Sequence, residues 1–553
     1  MKKRLSSPIR ICMNILITLV AAAIYFYIAL PPINMQSGEF WTFLLLILVF
    51  FCVLTLLSQR NVQEKAASGS LFSFLWKNLR IPVILMGICL VICLIGSILS
   101  AVIFNTKAYS SLITLEESDF AEDVAEISYD QIPMLDEVSA NTLAARKLGE
   151  LSDLVSQFEV DATSAQINYQ NAPVRVTYLN YGDFFKWINN RSEGIPAYIV
   201  TDMVTQEVSV VRLEEGMKYT PSEPFNRNID RYLRFKYPFT MFSDVNFEID
   251  EEGTPYWVAS VMKKTIGLFG GADITGAVLV NAVTGECTYC AIDEIPSWVD
   301  RVFTADLIIE QYDYHGKYKN GFWNSIFGQK GCTVTTDGYN YIAQNDDVWV
   351  YTGVTSMGGD ESNTGFILVN QRTKEAKYYS VAGAEEYSAM SSAEGSVQQY
   401  SYTATFPLLL NIEGQPTYFM ALKDESNLVK MYAMVNVQQY QIVSNGSSLA
   451  ECEQNYYELL RENKIISDDT QSPITEQETE TVTGNITELR SAVIEGTTYY
   501  YIKLDILPET WFRLSAAESE EIVLYNIGDS VTLTFEKEEA SIQPAKIDGS
   551  SES

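Results

Sequence analysis

Three long apolar runs open the chain, and alternating polar and apolar positions follow them. Ile11 to Leu30, Phe40 to Leu57 and Ile81 to Phe104 hold almost no polar residues. Each has the length a helix needs to cross about 30 Å of hydrocarbon. Pro31-Pro32 closes the first run, and Pro82 falls in the opening turn expected for the third, both tolerated places for proline. Trp41 and Trp76 stand near the expected membrane interfaces, where indole is favoured. Lys2, Lys3, Arg4 and Arg10 precede the first run, and Arg60, Lys65, Lys77 and Arg80 lie between the second and third. The loop 31–39 has no Lys or Arg. Basic residues favour the cytoplasmic side, so the N-terminus and the 58–80 loop are expected there. Three crossings then put everything after about residue 105 outside a bacterial-type cytoplasmic membrane. The first run reads as an uncleaved span rather than a signal peptide, being longer than the usual signal core and lacking an Ala-x-Ala site. No Asp, Glu, Lys, Arg or His interrupts the three runs, so they read as an anchor (residues 1–105) and not as an ion pathway. Cys12, Cys52, Cys89 and Cys93 read as small apolar residues within it.

Residues 106–138 are acidic and weakly patterned, and are expected to form a stalk. From Ser139 to Phe158, with Ser139 as N-cap, apolar residues recur at helical spacing. Two short patterns then repeat. Glu-Gly-x-Pro-x-aromatic occurs at Glu193 to Tyr198, Glu252 to Trp257 and Glu413 to Tyr418. Here glycine gives a turn conformation and proline fixes φ where a strand begins. The second pattern is Asp202-x-x-Thr205-x-Glu207, Asn281-x-x-Thr284-Gly285-Glu286 and Asn370-x-x-Thr373-x-Glu375, with a degenerate copy at Asn436-Val-Gln-Gln. Apolar runs precede each copy and alternating runs follow, which predicts a strand, a corner and a returning strand. The Asx side chain can accept from N–H groups two and three residues on, with Thr supporting the turn. Gly285 suits a left-handed position that Gln206 and Lys374 occupy at some cost or avoid by bending differently. Helical patterns follow the hairpins at Phe225–Lys236, from Pro296 through Phe303, weakly within 384–400, and at Leu449–Leu460. Residues 139–465 thus read as about four small α+β modules, each a sheet covered by a helix.

The run Val278 to Ala291, an apolar strand followed by Asn-x-x-Thr-Gly-Glu and a returning strand, resembles the PepSY type of small extracytoplasmic domain. The resemblance implies a module that binds or restrains peptidases or senses the envelope; it implies no catalytic residue, because the motif is a turn. Residues 466–482 read as a linker rich in Asp, Ser, Thr and Glu. Residues 483–545 hold about five short strands, with turns at Glu495-Gly496 and Gly528-Asp529, a pattern that resembles an OB-like β-barrel. Residues 546–553 read as a disordered tail.

Charge then narrows the function. Against 38 Lys and Arg stand 70 Asp and Glu, a formal charge of −32, which repels phosphate backbones and argues against nucleic-acid binding, even at Tyr499, Tyr500, Tyr501 and Trp511 of the barrel. The single histidine, His315, excludes a multi-His metal site and reads as an exposed helix cap. Cys287 and Cys290 have Cys-x-x-Cys spacing, but on a strand they point to opposite faces roughly 10 Å apart, so they should not bridge. Cys332 and Cys452 complete no zinc pattern, and Cys452 falls on an apolar helical stripe. Ile266-Gly-Leu-Phe-Gly-Gly271 lacks the Lys-Ser/Thr of a phosphate loop and reads as a hairpin turn. The stretch from Gly358 to Asn363 lacks the spacing of a calcium loop. The chain is therefore expected to be an α+β membrane protein with no cofactor, metal site or catalytic residue, serving as an envelope binding or scaffold protein with a protein or peptide partner. A peptidase regulator and a carboxylate-based enzyme are the alternatives.

Overall fold

The computed structural model describes every residue except 1–6, 64–70, 125, 127–131, 345, 359–361, 468–469, 471–478, 495–496, 516–519, 537–541 and 548–553. Lys2, Lys3, Arg4, Lys65 and the Glu495-Gly496 turn thus lie outside the described residues. The chain divides into two compact units, residues 1–452 and 453–553.

The first unit begins with α1 (Ser7–Ala29), α2 (Gly38–Gln63) and α3 (Leu71–Ser100). Among the described residues these three are long and apolar enough to cross a membrane. Pro82 lies inside α3 rather than in its opening turn, because the helix starts well before the apolar run. The third run also ends earlier than expected: Ala101 is extended (φ −65°, ψ 138°), and a separate short helix, α4 (Val102–Ser110), follows.

Four helix-plus-sheet modules come next, each built on four principal antiparallel strands with its helix leading. Module 1 has α5 (Glu137–Gly149) and principal strands 165–169, 172–181, 195–202 and 208–217. Module 2 has α6 (Ile229–Lys236) and strands 241–249, 255–266, 270–281 and 287–291. Module 3 has α7 (Ala305–Tyr318) and principal strands 340–344, 347–356, 362–370 and 376–379. Module 4 has α8 (Glu386–Ser396) and strands 408–412, 415–423, 429–436 and 443–446. A last helix, α9, spans Leu449–Glu462. Two helix expectations fail. The 139–158 pattern breaks after Gly149, and Phe158 begins a short strand. Pro296 to Phe303 is not helical; α7 starts only after Thr304, whose side chain accepts from Leu307 N.

The sheet of module 2 is buried on both faces. Trp257, Ala259, Val278 and Val280 belong to a core shared with module 1. Val258, Ala277 and Leu279, which point the other way along the same strands, belong to a core shared with module 3. This explains why Val278 to Val280 reads as a continuous apolar run rather than an alternating one. Fully burying one such side chain contributes about 1.5–3 kcal/mol.

Each module is closed at its Asx corner in one recurring way. The residue after the Asx donates its N–H to the carbonyl at the start of the second strand: Met203 to Pro173, Ala282 to Pro255, Gln371 to Val348 and Val437 to Pro416. Its own carbonyl accepts from the segment leading into the module's helix: from Met134, from Lys218 and Tyr219, from Val302 and Phe303, and from Ala384, respectively. The corner therefore ties helix entry, second strand and third strand together. The Glu-Gly-x-Pro copies prove unequal. Gly253 and Gly414 precede the second strand of modules 2 and 4, whereas Gly194 precedes the third strand of module 1. In module 1 the equivalent turn is Gln170-Asn171, with both residues left-handed. Asn281→Ala is expected to cost about 1–2 kcal/mol, the scale of a lost side-chain cap, read as a lower thermal midpoint of the full chain.

Residues 116–124 of the segment expected to be a stalk lie along the modules. Glu116–Ser118 pairs in parallel with Lys377–Tyr379. Asp123 accepts from Lys377 at 3.0 Å and from the Tyr379 hydroxyl, and Asn411 Nδ2 donates to Val124 O at 2.7 Å.

Module 2 is also fastened to the end of α1 and the loop that follows it. Arg234 Nε donates to Leu30 O (2.8 Å), Arg231 Nε to Tyr27 O (3.2 Å), Ile33 N to Pro238 O (2.7 Å) and Gln36 Nε2 to Lys264 O (2.8 Å). The glycine-rich stretch 266–271 is the tip of the long module 2 hairpin. There Leu268 N and Phe269 N both donate to Ser100 Oγ at 2.9 Å, at the end of α3.

The second unit contains a closed barrel of five strands, 479–494, 497–504, 507–515, 530–536 and 542–547. Ile502, Leu504, Phe512, Leu514 and Leu533 fill its interior. Gly528 takes a left-handed turn before the fourth strand.

Candidate functional site

The repeated corners are structural. Asp202 Oδ1 accepts from Val204 N and Thr205 N, both at 2.8 Å. Asn281 Oδ1 does the same for Val283 and Thr284, Asn370 for Arg372 and Thr373, and Asn436 for Gln438 and Gln439. Thr205, Thr284 and Thr373 Oγ1 accept from the N–H of Glu207, Glu286 and Glu375. Gln206 and Lys374 take the same left-handed conformation as Gly285, at φ 63° and 67° against 76°. The glutamates contribute backbone to these corners, which are spread over four modules.

Other candidates resolve individually. Cys287 and Cys290 lie on the strand 287–291 and are unbridged. Cys452 is buried in α9, its thiol pushed up to about 12 chiefly by burial. His315 is not an exposed cap. It is half-buried in α7 with Nδ1 2.8 Å from Ser110 O, and burial lowers its pKa. Of the 358–363 stretch, residues 359–361 lie outside the described residues, and the Asn363 amide is turned inward, donating to Tyr418 Oη at 3.0 Å. Among the described residues no group of three or more His, Cys, Asp or Glu is placed to hold a metal.

The site that the motifs did not point to lies where modules 1, 2 and 3 meet. A cavity of about 340 Å³ is lined by Arg175 and Tyr178 of the second strand of module 1, Asn246 and Phe247 of the first strand of module 2, and Arg301 and Tyr341 of module 3. Arg175 is only 6% exposed. Its Nη1 donates to the carbonyl and hydroxyl of Ser164 (3.3 and 3.2 Å). Arg301 Nη2 donates to Tyr341 Oη at 3.3 Å, and its guanidinium sits 5.4 Å from that ring's centroid. The Nε atoms of both arginines are buried without a hydrogen-bond partner. Among the described residues neither guanidinium makes an ion pair, in a chain with nearly twice as many acids as bases. Burial pushes the pKa of Arg175 down, Glu137 opposes that shift and Arg301 adds to it. By contrast, buried Arg234 is satisfied by the carbonyls of Leu30, Tyr237 and Thr240. A larger cavity of about 780 Å³ adjoins this one, sharing Tyr178, Asp244 and Val245, and is bounded by Leu30, Pro32 and Gly38 of the anchor.

Behind the arginines the three modules are held by carboxylates. Asp300, 1% exposed, accepts from Asn168 N of module 1 (2.6 Å) and Val348 N of module 3 (3.2 Å). Its own N–H donates to Glu248 Oε2 of module 2 at 2.8 Å, and Arg301 N donates to Glu248 Oε1 at 3.1 Å. Arg372 grips Asp347 through two bonds, 2.6 and 2.8 Å. Burial, opposed by the N–H donors and by Arg301, raises the Glu248 carboxyl to about 7. Burial and then the charge of Glu248 raise Asp300 well above the carboxylate range. Both groups hold a proton more tightly when folded than when unfolded. Their contribution to stability is therefore fully present below the unfolded values near pH 4 and is lost as pH rises through the folded ones. The thermal midpoint of the first unit is expected to fall between pH 5.5 and 7.5, and Glu248→Gln to flatten that fall; a midpoint that rises with pH over the same range would contradict this.

Sequence inspection missed both arginines because 126 positions separate them (301 minus 175). The legible signal was Arg175 itself, a charge placed within the apolar strand Ala172-Pro-Val-Arg-Val-Thr-Tyr-Leu179. No protein-family model matches the chain, and no curated protein matches it.

Proposed function

We propose that this chain is a membrane-anchored extracytoplasmic binding and scaffold protein of the cell envelope, built from PepSY-like modules and an OB-like barrel, with a protein or peptide partner. The positive-inside pattern supports an outward location for the modules. The fastening of module 2 to the anchor supports a rigid platform rather than a free tether. The observation that carries the binding reading is the junction cavity, where the buried Arg175 and the partly buried Arg301 make no ion pair among the described residues. Binding fits this better than catalysis, since the lining sets two cations beside tyrosines and an amide, with Glu137 and Asp244 at its exposed side and no cysteine or histidine among the residues that line it. Cross-linking in whole cells with a reagent that does not cross the bilayer, followed by capture of the intact chain, tests the proposal. Near-stoichiometric recovery of an extracytoplasmic chain is expected. Recovery of none, together with substrate turnover by the purified full chain, would overturn it.

A further inference from the structure

The junction cavity has a polarity that selects among ligands. A guanidinium withdrawn from water without a counter-ion costs several kcal/mol, and a second one nearby adds repulsion. Arg175 carries that cost, since burial lowers its pKa and Arg301 adds to the shift, whereas at Arg301 the nearby Tyr341, Glu248 and Asp244 oppose it. Behind them Glu248 offsets part of it at Arg301, while the oxygens of Glu248 and Asp300 accept from backbone N–H groups rather than from either guanidinium. An anion in the cavity would remove the penalty, and guanidinium matches a carboxylate with two parallel hydrogen bonds. The remainder of the lining disfavours a bare dianion. Glu137 and Asp244, both exposed, belong to the same cavity; Glu137 Oε1 is held by Ser164 N at 3.2 Å. Cations inside and carboxylates at the exposed side suit a ligand that carries both charges. The aromatic walls, Tyr178, Tyr341 and Phe247, suit a short apolar side chain between them, and about 340 Å³ lies within the range of small-molecule sites.

We propose that this cavity binds an α-carboxylate, with Arg175 and Arg301 taking the carboxylate and Glu137 and Asp244 facing the amine or peptide nitrogen. The carboxylate comes from a free α-amino acid or from the C-terminal residue of a peptide. This rests on the binding reading above and narrows it to a chemical class.

Equilibrium dialysis of the full chain in phosphatidylcholine nanodiscs tests the proposal. The probes are a pool of the twenty amino acids, trialanine with a free C-terminus, amidated trialanine, and inorganic phosphate. Saturable retention of an amino acid or of free-acid trialanine, at about one per chain, is expected. The amidated peptide should bind at least tenfold more weakly, and this comparison needs no variant that could misfold. Retention of amino acids identifies the free metabolite as source, and retention of trialanine alone identifies a peptide terminus. Arg175→Met and Arg301→Met should each weaken retention at least tenfold; Tyr341→Phe, which loses one hydrogen bond and keeps the ring, should weaken it less. Retention of no carboxylate, equal retention of the amidated form, or retention of phosphate alone would overturn the proposal. If capture of an extracytoplasmic partner persists in that case, the binding reading stands and only the ligand class falls.

Discussion

Replacing Asp300 with alanine is expected to destabilise the first unit by about 2–4 kcal/mol, among the largest effects of any single polar substitution in the chain. The carboxylate is buried and its two acceptor bonds go to different modules, to Asn168 N at 2.6 Å and Val348 N at 3.2 Å. Alanine leaves both N–H groups buried without partners, and each such orphan costs about 1–3 kcal/mol. Asp300→Asn, which keeps one acceptor oxygen but turns its amide NH2 toward the other backbone N–H, should cost less than alanine while still destabilising the unit. Thermal or denaturant unfolding of the full chain in nanodiscs reads both. An Asp300→Ala variant as stable as the parent would mean that the modules do not depend on this junction.

Gly267→Val is expected to separate the module 2 hairpin from the anchor and to cost about 3 kcal/mol. Gly267 has φ 60°, a conformation that a β-branched residue adopts only under strain. A Cβ there would lie 2.5 Å from Ser100 Oγ and 2.9 Å from the Leu99 carbonyl carbon and oxygen. Ser100 Oγ is the atom that receives Leu268 N and Phe269 N, so the substitution strikes the contact itself. Limited proteolysis of the reconstituted chain should show new cleavage at residues 266–271. Unchanged protection there would contradict a docked hairpin.

The apolar runs and the corners were the most legible parts of the sequence, because both rest on local physics. A span needs only length and apolarity, and an Asx corner needs an acceptor two and three residues ahead of the N–H groups it serves. Repeat register was harder. Glu193-Gly194-Ile-Pro looked equivalent to Glu252-Gly253-Thr-Pro, yet a turn before a proline-led strand serves any strand in a meander, and here it serves different ones. A better marker was present. Thr275-Gly-Ala-Val-Leu-Val-Asn281 and Thr364-Gly-Phe-Ile-Leu-Val-Asn370 align without gaps. In both, the glycine makes room for a cross-strand tyrosine whose hydroxyl returns to the preceding threonine carbonyl, Tyr289 to Thr275 at 3.3 Å and Tyr378 to Thr364 at 3.2 Å. The candidate cavity was hidden for a different reason. It is assembled from three modules, and no local pattern brings Arg175 to Arg301. The path of residues 116–124 was hidden likewise: the acids of this segment suggested a solvated stalk, while Lys377 and Tyr379, the groups that receive Asp123, lie some 250 residues away.

Sidedness is the claim on which the proposed role depends, and a cysteine at Ser467 reads it directly. A maleimide that cannot cross the bilayer should label this residue in intact cells, above the level given by the native thiols of the unsubstituted chain. Labelling that appears only after lysis would place the modules inside the cell and contradict the account.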